Sequence, residues 1–147
     1  MLKIQPSTQQ SLPWWFFPHF VLLWCVVGWT LGRLTGWTFI AKAYPHKGPI
    51  PAANHWNCCS IPNLTMRYCV NVALDEQGMY FQLWFLFRFG NPSIFVPWSD
   101  IQVSESKLFF FDMVKLTFKK TPWVNFQFYK RTANKFALKA TTHWPTK

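Results

Sequence analysis

From Trp14 to Gly32 the chain runs 19 residues without a charged side chain, and only His19 and Thr30 are polar. As a helix this stretch would reach ~28 Å, about the hydrocarbon thickness of a bilayer. Three roles compete for it. A cleaved signal peptide would use Ala41-Lys42-Ala43 as its small-residue site. Against that, the preceding segment is long and Gln/Ser/Thr-rich with a single Lys3, and Arg33 separates the apolar run from the cut. A buried helix of a soluble domain needs protein on every side, which a chain of 147 residues hardly supplies. The expectation is therefore a membrane span. Its embedded core runs from about Phe17 to Leu31, Pro18 begins or kinks it, and the whole element covers residues 13–33. Trp14, Trp15 and Trp29, with Arg33 and Trp37 beyond, are the expected interfacial residues.

Lys and Arg in the flanks set the expected orientation. Only Lys3 precedes the run, whereas Arg33, Lys42 and Lys47 follow it, which places the C-terminal side in the cytoplasm and the N-terminus outside the cell (inner) membrane. On that face the acceptor triplet Asn63-Leu64-Thr65 reads as a plain polar turn. Residues 1–12 form a polar tail. Residues 34–52 read as a juxtamembrane linker: Trp37, Ile40, Ala41 and Tyr44 recur at helical spacing and suit the headgroup level, and Pro45, Gly48, Pro49 and Pro51 stop any helix.

Residues 53–141 change period. "YCVNVAL" alternates, "DEQG" turns, and "MYFQLWF" follows as a second strand, a hairpin signature. "SIFVPW", "LFFF", "MVKLTF" and "WVNFQFY" add four strands, and a short one around Trp56 to Ile61 makes about seven. "KRTANKFALKA" then places Ala133, Phe136, Ala137 and Ala140 on one stripe, an amphipathic helix suited to plugging a barrel end, with 142–147 as a tail. The fold class expected is a membrane-anchored, mainly β protein: one transmembrane helix, then a seven-stranded antiparallel sandwich or barrel closed by a C-terminal helix. Trp98, Phe126 and Phe136 are expected in its core.

That order, with "SIFVPWSDIQ" as a strand running into a Trp and a polar turn, "LDEQGMYFQL" before it and "VKLTF" after it, resembles a pleckstrin-homology-like (PH-like) or GRAM-like bacterial domain. The lone helix ending in "GW…A…YP" ahead of it is similar to small bacterial membrane proteins. The resemblance covers roughly residues 56–140 and implies binding of lipid head groups or protein segments rather than catalysis.

Composition narrows the function. Five acids, in turns for the most part, leave little for general acid–base work, and the four His lie near no nucleophile at a known spacing. There is no G-x-S-x-G, no Gly-rich phosphate loop and no H-E-x-x-H, so neither an enzyme nor a cofactor is expected. His55, Cys58, Cys59 and Cys69 could formally bind a metal, but adjacent residues in a strand point to opposite faces, and reduced, buried thiols are the reading preferred. The net charge of +10 asks for a polyanion. From Lys107 to Lys147 there are nine basic residues and one acid. Lys115, Lys119, Lys120, Lys130, Arg131 and Lys135 are the expected anionic-surface residues, and beside a membrane each basic side chain near an anionic leaflet contributes ~1 kcal/mol. Membrane lipid is thus the first expected partner. Nucleic acid ranks well below it, because the aromatics of "KKTPWVNFQFYKR" alternate as a sheet core does. The other reading is an accessory subunit of a larger membrane complex, with Trp14, Trp15, Phe16 and Trp24 against neighbouring helices.

Overall fold

The computed structural model describes residues 13–51, 54–61, 64–140 and 144–145, with the backbone only at 54–61, 64–68 and 108. The tail 1–12 with Lys3, most of the tail 142–147, and the side chains of His55, Cys58 and Cys59 lie outside the described residues, as does the start of the acceptor triplet at Asn63.

Helix α1 spans Phe16–Leu34. Pro18 falls in its first turn, where the missing N–H would have had no intrahelical partner, so the helix tolerates it. Of its residues only Gly28 and Gly32 are buried. Thr30 donates its hydroxyl to the Val26 carbonyl at 2.7 Å, and His19 Nδ1 bonds the Trp15 carbonyl at 2.7 Å, so both polar side chains find partners within the helix or its N-cap. Gly36, at φ +81, breaks the helix, and α2 (Trp37–Ala43) turns away from it. A side chain at Gly36 would be strained by that φ and would press on Val124.

The β part consists of β1 (Asn54–Ile61), β2 (Leu64–Leu74), β3 (Gly78–Leu83), β4 (Ile94–Pro97), β5 (Ile101–Leu108), β6 (Phe111–Phe118) and β7 (Thr121–Tyr129). Two three-stranded antiparallel sheets carry it, β2-β3-β4 and β5-β6-β7, each a meander. Strand β1 lies between them, antiparallel to β2 and meeting β7 at Ser60 and Gln127, so the order is β4-β3-β2-β1-β7-β6-β5. Among the described residues β4 and β5 stand at opposite ends of that order and do not pair, so the strands do not close into a single seven-stranded barrel, one of the two forms, sandwich or barrel, expected from the sequence. Part of the β4 edge is covered instead by residues 44–46: Phe95 N donates to Tyr44 O, His46 N donates to Ser93 O, and Pro45 bridges to Ile94.

Two strands were also placed differently by the sequence pattern. Strand β5 pairs residue for residue with β6 from Ile101↔Phe118 to Leu108↔Phe111, which puts the hairpin turn at Phe109-Phe110. "LFFF" is therefore a strand end and a turn, not a strand. Strand β3 ends at Leu83, and Phe85–Phe87 form a 3-10 turn rather than its continuation.

The core fills with aromatics from α2, β3, β6 and β7. Trp37 stacks on Phe126 with ring centres 5.9 Å apart, and Phe81 and Phe118 meet Phe126 edge-on at 5.0 and 5.3 Å. Helix α3 (Lys130–Ala140) buries Ala133, Phe136 and Ala140, with Phe136 edge-on to Phe128 at 5.5 Å. Phe126 and Phe136 thus lie in the core as expected, whereas Trp98 is half-buried at its rim, donating Nε1–H to the Asp75 carbonyl. Asp75 organises the β2–β3 turn: its Oδ1 accepts from Gln77 N and Gly78 N, and its Oδ2 accepts from the Tyr80 hydroxyl at 2.7 Å. Burial, then the hydrogen bond and charge of Asp75, push the Tyr80 phenol up to about 12. Such a turn aspartate is the bland role its position suggested.

Candidate membrane interface

The side chains expected at an interface separate into two groups. Trp14 and Trp15 precede α1 and are exposed. Trp29 and Arg33 lie at its other end, exposed, with the Arg33 guanidinium 4.2 Å above the Trp29 ring. By helical rise Trp29 stands ~21 Å and Arg33 ~27 Å from Trp15 along the axis. Trp37 belongs with neither. It is fully buried, stacked on Phe126, and donates its indole N–H to the Pro92 carbonyl at 3.0 Å, so its assignment to the interface is corrected. The segment of Trp37, Ile40, Ala41 and Tyr44 fits either a headgroup layer or a protein core by spacing alone; the cavity between the two sheets claims it.

Helix α1 is docked on the β domain. Trp24 donates its indole N–H to the Leu86 carbonyl at 2.8 Å and packs its ring against Phe87 at 5.6 Å. Four residues on, the Asn91 amide donates to the carbonyls of Gly28 and Phe87, both at 3.0 Å. Another four residues on, Gly32 leaves room for Asn91 itself, since a β-carbon there would sit 1.8 Å from Asn91 Oδ1. The base of the helix carries exposed apolar groups from other elements. Arg33, Leu34, Phe39 of α2 and Trp123 of β7 border a shallow hollow, with Phe39 54% and Trp123 65% exposed. Sequence reasoning missed both. The signal for Trp123 is its parity: it shares the outward phase of Asn125 and Gln127, where an aromatic is out of place.

The six basic residues do not form one patch. Lys119 and Lys120 make the β6–β7 turn; their backbone N–H groups donate to Asp100 O and to the Tyr44 hydroxyl, and Lys120 Nζ lies 4.8 Å over the Tyr44 ring. Tyr44 in turn donates to Asp100 Oδ2, and its phenol is raised chiefly by burial. Lys130 and Arg131 stand at the other end of β7, a strand ~26 Å long by its rise. There Lys130 faces Glu105 at 3.9 Å, a contact between two well-exposed side chains. Lys115 projects mid-strand, opposite Ser104 and Gln127, and Lys135 is exposed on α3. The turn lysines precede Val124, against which Gly36 packs, by four or five residues, whereas Lys130 and Arg131 follow it by six or seven, so along β7 the turn lysines are the pair nearer the base of α1.

Among the described residues no group of three His, Cys, Asp or Glu could hold a metal ion. Cys25 and Cys69 are half-buried. Family models, characterised proteins and solved structures offer no match to this chain. Among the described residues one helix, near the N-terminus, is long and apolar enough to cross a membrane, with 11% of its most apolar stretch buried against protein.

Proposed function

We propose that the protein is a non-enzymatic single-pass membrane protein that presents a basic, PH-like β domain to the cytoplasmic membrane surface, where it binds anionic lipid or a protein partner. The observation that carries this reading is α1: an almost wholly exposed apolar helix, with a tryptophan pair at one end and the Trp29–Arg33 pair at the other, docked on a domain of net positive charge. Water does not accommodate such a helix, whereas hydrocarbon does. Two antiparallel meanders followed by a helix that packs on them support the PH-like comparison. Lys and Arg concentrated after the helix support a cytoplasmic domain. The split of the basic residues sharpens the binding claim. Lys119 and Lys120 meet the anionic surface, and Lys130, Arg131 and Lys135, at the far end of β7 or on α3, do not share that contact.

The test is lysine footprinting of the full chain in lipid nanodiscs. Anionic lipid should protect Lys119 and Lys120 relative to neutral lipid, and salt should reverse the protection, because exposed charges are screened over ~8 Å at physiological ionic strength. Equal labelling in both lipids would sink the lipid half of the proposal. Orientation is read separately, with single cysteines replacing Thr8 and Asn134: an impermeant reagent should reach them from opposite sides.

A second reading, an accessory subunit of a larger membrane complex, draws on the same exposed faces of α1, where Phe17, Leu22 and Leu23 are 60–67% exposed. Migration with a large assembly on native gels after mild extraction would favour it; a monomer would favour lipid binding.

A further inference from the structure

Seven residues of the β3–β4 connection, Trp84 to Gly90, contain five apolar side chains and one charge, Arg88. Phe85 and Phe89 are 64% and 67% exposed, and Leu86 also faces outward. These side chains do not face the β domain. They join Phe20, Val21, Trp24 and Cys25 of α1 around one apolar cleft of about 370 Å³. The height of that cleft on the helix is the decisive point. Leu86 is tied to Trp24, nine residues before Arg33, and therefore lies ~14 Å along the axis from the Arg33 level. If Arg33 marks the membrane boundary, Leu86 stands near the bilayer midplane.

Irregular backbone at that depth needs its polar groups satisfied within the protein. The connection meets this demand largely from its own residues and α1. Phe87 N donates to Trp84 O, Arg88 N to Phe85 O and Asn91 N to Arg88 O. The Leu86 carbonyl accepts from Trp24, and the Phe87 carbonyl from the Asn91 amide. Trp84 N, at the start, donates to Cys69 O of β2. Arg88 is exposed, on a stem long enough to reach back toward the headgroups.

We propose that residues 84–90 form a re-entrant loop that enters the bilayer beside α1, with acyl chains filling the cleft between them; this rests on the reading of α1 as a membrane span. Continuity with the exposed face of α1 favours lipid as the occupant. The anchor is then a helix and a loop clamped together, and the β domain is held at a fixed angle to the membrane.

The experiment places a spin label at single cysteines replacing Leu22, Leu86, Phe89 or Asn134 in the full chain, with Cys25, Cys58, Cys59 and Cys69 changed to Ser, reconstituted in liposomes. Collision with dissolved oxygen reports hydrocarbon and collision with a water-soluble nickel chelate reports solvent. Positions 86 and 89 are both exposed, so neither label displaces a core side chain. Expected is high oxygen and low nickel accessibility at 22, 86 and 89, with the reverse at 134. Membrane-like values at 22 but nickel contact at 86 and 89 would overturn the loop while leaving the span intact. Nickel contact at 22 would overturn both. Shielding of 86 and 89 from both reagents would overturn lipid as the occupant and point to protein, such as a second copy of this chain.

Discussion

Two aromatic clusters of nearly the same chemistry lie in this molecule, and they meet opposite surroundings. In the first, Trp37, Phe81, Phe118, Phe126, Phe128 and Phe136 interlock edge-on and stacked between the two sheets, and none is more than 2% exposed. In the second, Phe16, Phe20 and Trp24 climb α1 to meet Phe87 of the 3-10 turn, with successive ring centres 5.6–6.1 Å apart, yet Phe16 and Phe20 remain 39% and 49% exposed. Ring spacing is similar in both, so it does not distinguish a closed protein core from an open, exposed face. What separates them is closure. The first cluster has protein on all sides; the second has protein on one side and an open face on the other.

Truncation should therefore cost the two clusters very different amounts. Phe136→Ala should destabilise the β domain by ~3–5 kcal/mol, as removing a large buried side chain does, read by denaturant unfolding of the full chain in detergent. Phe20→Ala should change the same transition by less than ~1 kcal/mol, since detergent or lipid replaces the lost contact. Equal losses would mean that the second cluster is also a closed core.

The joint between clusters is the next place to press. Asn91→Ala removes the donor that holds the carbonyls of Gly28 and Phe87, and should weaken the docking of α1 by ~1–3 kcal/mol. Loss of a disulfide engineered between positions 25 and 86 would report it while the unfolding of the β sheets stays unchanged.

Ionisation offers a smaller contrast. Tyr80 beside Asp75 has its phenol raised from 10.0 to about 12, so folding favours the protonated form. Its contribution is fully present below pH 10, the unfolded value, and is lost as pH rises toward 12. A tyrosinate absorbance titration should show one phenol ionising late, and Asp75→Asn should bring it earlier. The smallest effect belongs to Phe109, 88% exposed and held at φ +55 in the β5–β6 turn. Glycine adopts that backbone without the β-carbon clash, so Phe109→Gly should stabilise the hairpin by about 0.5–1 kcal/mol, measured by thermal unfolding.

The sequence disclosed the elements whose pattern is local. Alternation marks β2, β6 and β7, the uncharged run marks α1, and the stripe of Ala133, Phe136 and Ala140 marks α3. It misled where one pattern serves two surroundings. Three successive phenylalanines read as a strand, but pairing of Lys107 with Asp112 and Leu108 with Phe111 leaves two of them to turn the corner. The spacing of Trp37 and Ile40 reads as a membrane-surface helix, but their burial depends on sheets formed later in the chain. The basic surface was visible as composition only. Whether Lys120 and Lys130 share a face depends on the length and direction of β7, which residue types do not encode. Least legible was the contact of Trp24 with Leu86, joined across 62 residues by one indole N–H.

The pairing of Gly28 and Gly32 with Asn91 has a consequence for stoichiometry. Two small residues four apart are a common seam by which membrane helices lie backbone to backbone. In this chain the seam is already taken, because the Asn91 side chain lies against Gly32 and bonds the carbonyl of Gly28. A neighbouring helix could use it only by evicting Asn91 and leaving the carbonyl of Phe87 without that donor as well. Any homodimer or larger assembly is thereby steered to the other side of α1, where Leu22, Leu23 and Val26 offer bulk instead of a groove.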